Sequence, residues 1–148
     1  MSSAADPAPP TSRAQDVGRF VLAAGLLAAG SAHFFWAREE FRAQVPSWVP
    51  VDDDVVVLAS GAVEIALGIA LLVARRHRVV VGWVTAAFFV VIFPGNVAQY
   101  VEGTDAFGLD SDGARAARLA FQPALVATAL WSTGAWSAWQ ARRMRRRQ

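Results

Sequence analysis

Four runs of apolar and small residues, 17–35, 55–73, 79–101 and 119–139, each come close to the twenty or so residues needed to cross ~30 Å of hydrocarbon. Backbone groups in hydrocarbon must pair within the chain, so a run of that length becomes a helix or a strand of a closed barrel. None of the four shows the ten-residue alternation of a membrane barrel. The expected fold class is therefore all-α: a polytopic membrane protein built as a four-transmembrane-helix bundle. Composition agrees once the charges are located. The chain is 55% hydrophobic yet 18% charged, and nearly all of the charge falls between and beyond the runs.

The chain divides into a disordered cytoplasmic tail (1–16), a four-helix membrane domain (17–139) and a basic cytoplasmic tail (140–148). The first segment is rich in Ser, Ala and Pro without an apolar period. Arg13 and Arg19 ahead of residues 20–29, with Gly30-Ser31-Ala32 after them, also have the outline of a signal peptide. That outline fails to end: the apolar run continues through His33-Phe34-Phe35 and is long enough to span.

All 14 basic residues are arginine, a mark of codon usage, and their placement carries the topology. Arg13, Arg19, Arg75, Arg76, Arg78, Arg142, Arg143, Arg145, Arg146 and Arg147 fall on one side, and Arg38, Arg42, Arg115 and Arg118 on the other. Ten against four predicts an inner (plasma) membrane protein with both termini cytoplasmic. The terminal arginine run next to a span reads as a topology anchor with affinity for anionic membrane lipid, and no nucleic-acid partner is expected. Between the first two runs, residues 36–50 are amphipathic. Phe41, Val45, Trp48 and Val49 keep a helix-like spacing that Pro46 ends near Gln44, so this segment lies on the outer surface or caps the bundle.

Glu64 is the outstanding residue. A carboxylate at the middle of a span costs roughly 2.5 to 3.5 kcal/mol even on lenient insertion scales. Each other run places a polar residue in the outer half as well. His33 and Asn96 are sixteen and seventeen residues up their runs, Gln122 is three residues into the descending fourth, and Glu64 is deeper by roughly 8 Å at 1.5 Å per residue. Ser60, Glu64 and Gly68, with Gly61 beside them, form a small-residue stripe that turns the carboxylate inward. Pro94-Gly95 is expected to break the third span, free the Val90 carbonyl and open a cavity beside Asn96 and Gln99. Glu64, His33, Asn96, Gln122 and Gln99 are thus the candidate ligand-binding residues. A lone His or Asn at a span end is an ordinary interface residue, so the weight rests on the convergence. With no cysteine, and with His33 and His77 on opposite sides, no thiolate, bis-histidine haem or other metal site is expected.

Taken in order, Gly30-Ser31-Ala32-His33-Phe34, Phe41 with Val45-Pro46-Ser47-Trp48-Val49-Pro50, Ser60-Gly61-Ala62-Val63-Glu64-Ile65-Ala66-Leu67-Gly68, Phe93-Pro94-Gly95-Asn96-Val97 and Arg118-Leu119-Ala120-Phe121-Gln122-Pro123 resemble the DoxX family of small four-span membrane proteins. The resemblance implies a four-helix membrane bundle, and some relatives of that kind serve redox chemistry, as a subunit of thiosulfate:quinone oxidoreductase or as a membrane partner of superoxide dismutase and a sulfurtransferase. One animal branch resembles a receptor-assembly chaperone. Where the family pattern often has a proline before the second span, this chain has Asp52-Asp53-Asp54, and Pro123 reads as a first-turn proline.

The first functional expectation is a polar pocket in the outer half of the bundle that binds a small lipophilic molecule, quinone-like, in support of a membrane redox partner. No cofactor is intrinsic and no self-contained catalytic motif is present, so any enzymatic part is that of an oxidoreductase-associated subunit. The alternative is a non-enzymatic membrane scaffold or assembly factor, its polar residues serving as interhelical glue. A proton-coupled transporter is a third reading, one that four short spans supply only as a homo-oligomer.

Overall fold

The computed structural model describes residues 10–147, and every regular element among them is a helix. Residues 1–9 of the expected tail lie outside the described residues. Helix α1 (Arg13–Phe35) starts four residues ahead of the apolar run, because Ser12 and Gln15 form a reciprocal capping box. The Gln15 N–H donates to the Ser12 hydroxyl at 3.2 Å and the Ser12 N–H to the Gln15 side chain at 2.9 Å. Residues 13–16, expected in the tail, are therefore helical. The amphipathic segment supplies α2 (Arg38–Arg42), which stops short of Pro46 as anticipated. Helix α3 (Asp53–Val73) is capped by Asp52, whose carboxylate accepts from the N–H groups of Asp54 and Val55. The aspartate triplet thus starts the helix by a different device from a proline.

A single 3-10 turn, Arg75–His77, leads into α4 (Arg78–Glu102), which Gly103 terminates in the left-handed conformation. Helices α5 (Asp112–Ser132) and α6 (Ala135–Arg145) follow, and α6 carries helix into the expected basic tail. Three helical stretches are long and apolar enough to cross a membrane: Arg13–Phe35, Asp53–Val73 and Arg75–Glu102. The fourth run, 119–139, is not one helix. Gly134 at φ 72° separates α5 from α6, and the apolar part of α5 from Leu119 to Ser132 reaches only ~21 Å.

Helix α1 packs along α3 and α4 along α5, and the two pairs join through α1 with α5 and α3 with α4. On α3 the inward stripe is Val57, Gly61, Glu64, Gly68 and Leu71, a four-three spacing. Its glycines are sites of near contact, as the sequence predicted. A Cβ on Gly61 would stand 2.7 Å from His33 Cβ, and one on Gly68 would stand 2.8 Å from Leu27 Cγ. Ser60, expected on this stripe, is half-buried beside it and donates its hydroxyl to the Val57 carbonyl.

The expected break at Pro94 is absent: α4 runs unbroken through it. The proline removes the ladder bond to the Val90 carbonyl without breaking the helix, and the side-chain amide of Gln122 donates to the neighbouring Phe89 carbonyl at 2.6 Å. Gly95 serves another purpose, since a Cβ there would stand 3.0 Å from the Gln44 carbonyl that crosses it. Pro123 is likewise interior to α5, eleven residues past its start, and not in the first turn.

The apolar core is Leu22, Ala23, Leu26, Leu67, Leu71, Ala86, Phe89 and Ala129. Around it the usual order is inverted. Arg19, His33, Glu64, Thr85, Asn96, Gln99, Gln122, Ser132 and Thr133 are buried, while Phe35, Val73, Val91 and Val101 are over 70% exposed. Polar side chains inside and aliphatic ones outside are the construction of a membrane protein, whose outer shell faces lipid.

Candidate functional site

The polar core has two parts, one on each helix pair. On the first pair, Glu64 is the twelfth of the 21 residues of α3 and 7% exposed, and His33 comes from the last turn of α1. The Gly30 and Gly61 approach brings them together: His33 Nδ1 lies 3.4 Å from Glu64 Oε2. That nitrogen donates to the Ala29 carbonyl at 2.8 Å, an acceptor only, so its proton is already committed. Glu64 Oε2 is buried without a hydrogen-bond partner among the described residues. The His33 ring stacks on Phe41 of α2 at 3.4 Å between centroids, and Phe107 meets Phe41 edge-on at 4.7 Å.

On the second pair, amides form a continuous chain. Gln122 donates to the Phe89 carbonyl and accepts from Asn96 Nδ2 at 3.0 Å. Asn96 Oδ1 accepts from Arg118 Nε at 3.0 Å, and the same guanidinium donates to Gln44 Oε1 at 3.0 Å. Gln44 donates to Gln99 Oε1 at 3.1 Å, and Gln99 donates on to the carbonyls of Thr104 and Ala106. Donation runs outward from Arg118 along both arms, and each amide accepts from the Arg118 side and donates away from it, which is how buried polar groups avoid desolvation costs. The two parts approach one another through aromatic contacts, since Arg118 lies 5.1 Å above the Phe107 ring.

Phe107 holds this junction under backbone strain. Its φ of 56° is the one left-handed non-glycine conformation among the described residues, a state costing of order 1–3 kcal/mol. Two contacts impose it. The Phe107 N–H donates to Glu40 Oε2 at 2.5 Å, and Arg115 pins the loop through Asp105 at 2.8 Å, Leu109 O at 3.0 Å and Asp112 at 2.9 Å. The Asp112 hydrogen bond, with Asp105 adding to it against the opposing effect of burial, holds the Arg115 guanidinium above its ordinary range.

A cavity of about 570 Å³ opens between α4 and α5, walled mainly by Phe89, Phe93, Val126, Leu130, Trp131 and Trp136. Gln122 lines it and supplies an amide in an otherwise apolar and indole wall. A primary amide has two N–H donors, and the Phe89 carbonyl takes one. Among the described residues no cluster of three or more His, Asp and Glu side chains has the arrangement of a metal site.

A family model described as "Domain of unknown function (DUF8561)" matches residues 22–133. The chain belongs to that family. The matched stretch takes in both parts of the polar core and ends at Thr133, immediately before the Gly134 turn, so α6 falls outside it. No curated protein and no solved structure matches the chain.

Of the five predicted site residues, the structure joins Asn96 with Gln122 directly, places Gln99 on the same chain through Arg118 and Gln44, and sets Glu64 with His33 as a separate pair. Gln122 is deeper than its run implied. It meets Phe89, the twelfth of the 25 residues of α4, because α5 begins at Asp112, seven residues ahead of the apolar run. Neither Glu64 nor His33 lines the cavity. Arg118 and Gln44, which connect the amide chain, were not among the predicted residues. Arg118 stands four residues before Gln122 on the same helical face, a spacing that would have revealed it. Nothing in the spacing of Gln44 points across to Gln99, 55 residues away.

Proposed function

We propose that the chain is a DoxX-like, four-span protein of the plasma membrane, with both termini cytoplasmic, that binds a small lipophilic molecule of the quinone type in support of a membrane redox partner. The observation that carries the reading is the cavity between α4 and α5, where an apolar wall ends on Gln122 with an amide N–H to spare. Such a site suits a molecule with an apolar body and one carbonyl or hydroxyl, the ordinary pattern of a small-molecule pocket. Asn96 donates to the Gln122 oxygen and so fixes which end of the amide carries the N–H groups, which spares a ligand the cost of ordering it. The fourth span in this reading is bent: α5 enters and the first turn of α6 completes the crossing. The arginine asymmetry of ten to four orients the whole.

Glu64 is the second anchor in this reading. A buried carboxylate with an unpartnered oxygen is unfavourable as packing and suits a hydrogen-bond or proton acceptor for a ligand reaching α3. A scaffold or assembly role is the competing reading, and the amide chain favours it, because its members satisfy one another as interhelical glue does.

The test is to purify the full chain in mild detergent and identify co-extracted quinones and lipids by mass spectrometry, for wild type, Gln122→Leu and Glu64→Gln. Retention of a quinone-type molecule that falls in Gln122→Leu supports the pocket. A folded Gln122→Leu protein with wild-type retention overturns it and leaves the scaffold.

A further inference from the structure

Beyond the cavity, α6 presents a second surface. We propose that α6 carries a seat for the headgroup of an anionic phospholipid, formed by Trp139, Gln140, Arg143 and Arg147 at the membrane surface where the chain ends. These residues, with Met144, line a concavity of about 380 Å³ on one side of the helix. On α6, Trp139 and Gln140 stand four and three residues before Arg143 and three and four after Trp136, which places them on a single face, and Arg147 joins that face from the turn after the helix.

The face changes character along its length in the order a lipid does. Trp136 lines the apolar cavity at the end of α5, and its ring lies 5.2 Å from that of Trp139. One turn on, the Arg143 guanidinium sits 4.7 Å above the Trp139 ring. Trp136 to Arg143 is seven residues, or ~10 Å along a helix. The polar interface of a bilayer is roughly 5–8 Å thick on each side, so indoles at its inner edge put Arg143 at the level of the phosphates.

Charge complementarity selects the occupant. Helix α6 has no acidic residue, and Arg143 and Arg147 make no ion pair with a described carboxylate. Stacking on Trp139 holds the Arg143 fork in place while leaving its N–H edge free, the geometry that takes a phosphate bidentately. The Gly134 turn, with its left-handed φ, sets the direction in which α6 leaves α5 and so aims this face. The surface belongs to α6 and the turn that follows it, outside the family-matched residues.

The experiment uses full-length protein in detergent, offered phosphatidylglycerol or phosphatidylcholine, with bound lipid counted by native mass spectrometry. Wild type should retain phosphatidylglycerol in preference. Arg143→Gln/Arg147→Gln should lose that preference by about thirtyfold, the worth of two cations at an anionic surface. Arg142→Gln/Arg146→Gln removes the same charge from another face and should leave most of the preference intact. Equal loss in both pairs means a diffuse basic tail and overturns the seat, as does equal retention of the two lipids by wild type. Binding of a short RNA oligonucleotide that Arg143→Gln/Arg147→Gln abolishes, with no lipid preference, would assign the face to nucleic acid instead. All four arginines are exposed, so the variants test the surface and not the fold.

Discussion

The two helix pairs solve the same problem, polar residues in a low-dielectric interior, in opposite ways. On the side of α4 and α5, Arg118 donates along two arms, through Asn96 and Gln122 to the Phe89 carbonyl and through Gln44 and Gln99 to the loop carbonyls of Thr104 and Ala106. Between α1 and α3, the backbones close on each other at Gly30 and Gly61, and Glu64 keeps an unsatisfied oxygen beside a histidine whose proton is already used. A closed amide chain gives cohesion and register. An open carboxylate gives little cohesion and retains chemistry, so the pair that packs most tightly is also the one with an unused functional group.

The sharpest way to break this contrast is to force the α1 and α3 backbones apart. Gly61→Leu, whose Cβ would meet His33 at 2.7 Å and the Gly30 carbonyl at 3.1 Å, should destabilise the protein by about 3 kcal/mol or more. Gly68→Leu, against Leu27 and the Ala23 carbonyl, should cost about 1 to 3 kcal/mol. Thermal denaturation in detergent reads both, and wild-type stability in either would mean that the glycine stripe is not the contact. Next comes the amide chain. Asn96→Leu leaves Gln122 and Arg118 each short of a partner and should cost about 1 to 2 kcal/mol by the same measurement.

Glu64→Gln should change stability least, by about 0.5 kcal/mol or less, since it replaces an unpartnered oxygen and relieves the burial of a carboxylate. A loss as large as that of Asn96→Leu would show that Glu64 belongs to a satisfied network after all, and the contrast between the pairs would fall. A further arm sharpens it: Phe107→Gly removes the left-handed strain and the ring between the two parts. It should leave stability within about 1 kcal/mol of wild type, relief of strain offsetting the lost aromatic contact.

These contrasts are partly legible in the sequence. Helix existence follows from apolar run length, and the close approach at Gly61 and Gly68 from small residues on the face of an expensive carboxylate. Of the expected stripe Ser60, Glu64 and Gly68, the last two lie on the inward face, and Gly61 takes the place of Ser60 there. Steps of four alone drift across the helix face, and the inward face follows alternating steps of four and three. The fourth run was read as straight because its apolar content is continuous across Gly134, and hydropathy does not register a left-handed φ.

By itself, then, the sequence determined the quantities that act along one helix: length against bilayer thickness, which face is small, where a charge is too deep to be incidental, and which end carries the arginines. The tertiary structure decided whatever needs two helices at once. Arg118 counts on paper as an outer arginine, but in the fold it lies between Asn96 and Gln44, 22 and 74 residues away. Gln122 was assigned near the surface and sits at mid-bundle, because α5 begins seven residues before its apolar run. Hydrogen-bond partners and depth depend on how far one helix slides against its neighbour, and that register is set by side chains interlocking across the interface, which no single run of residues contains.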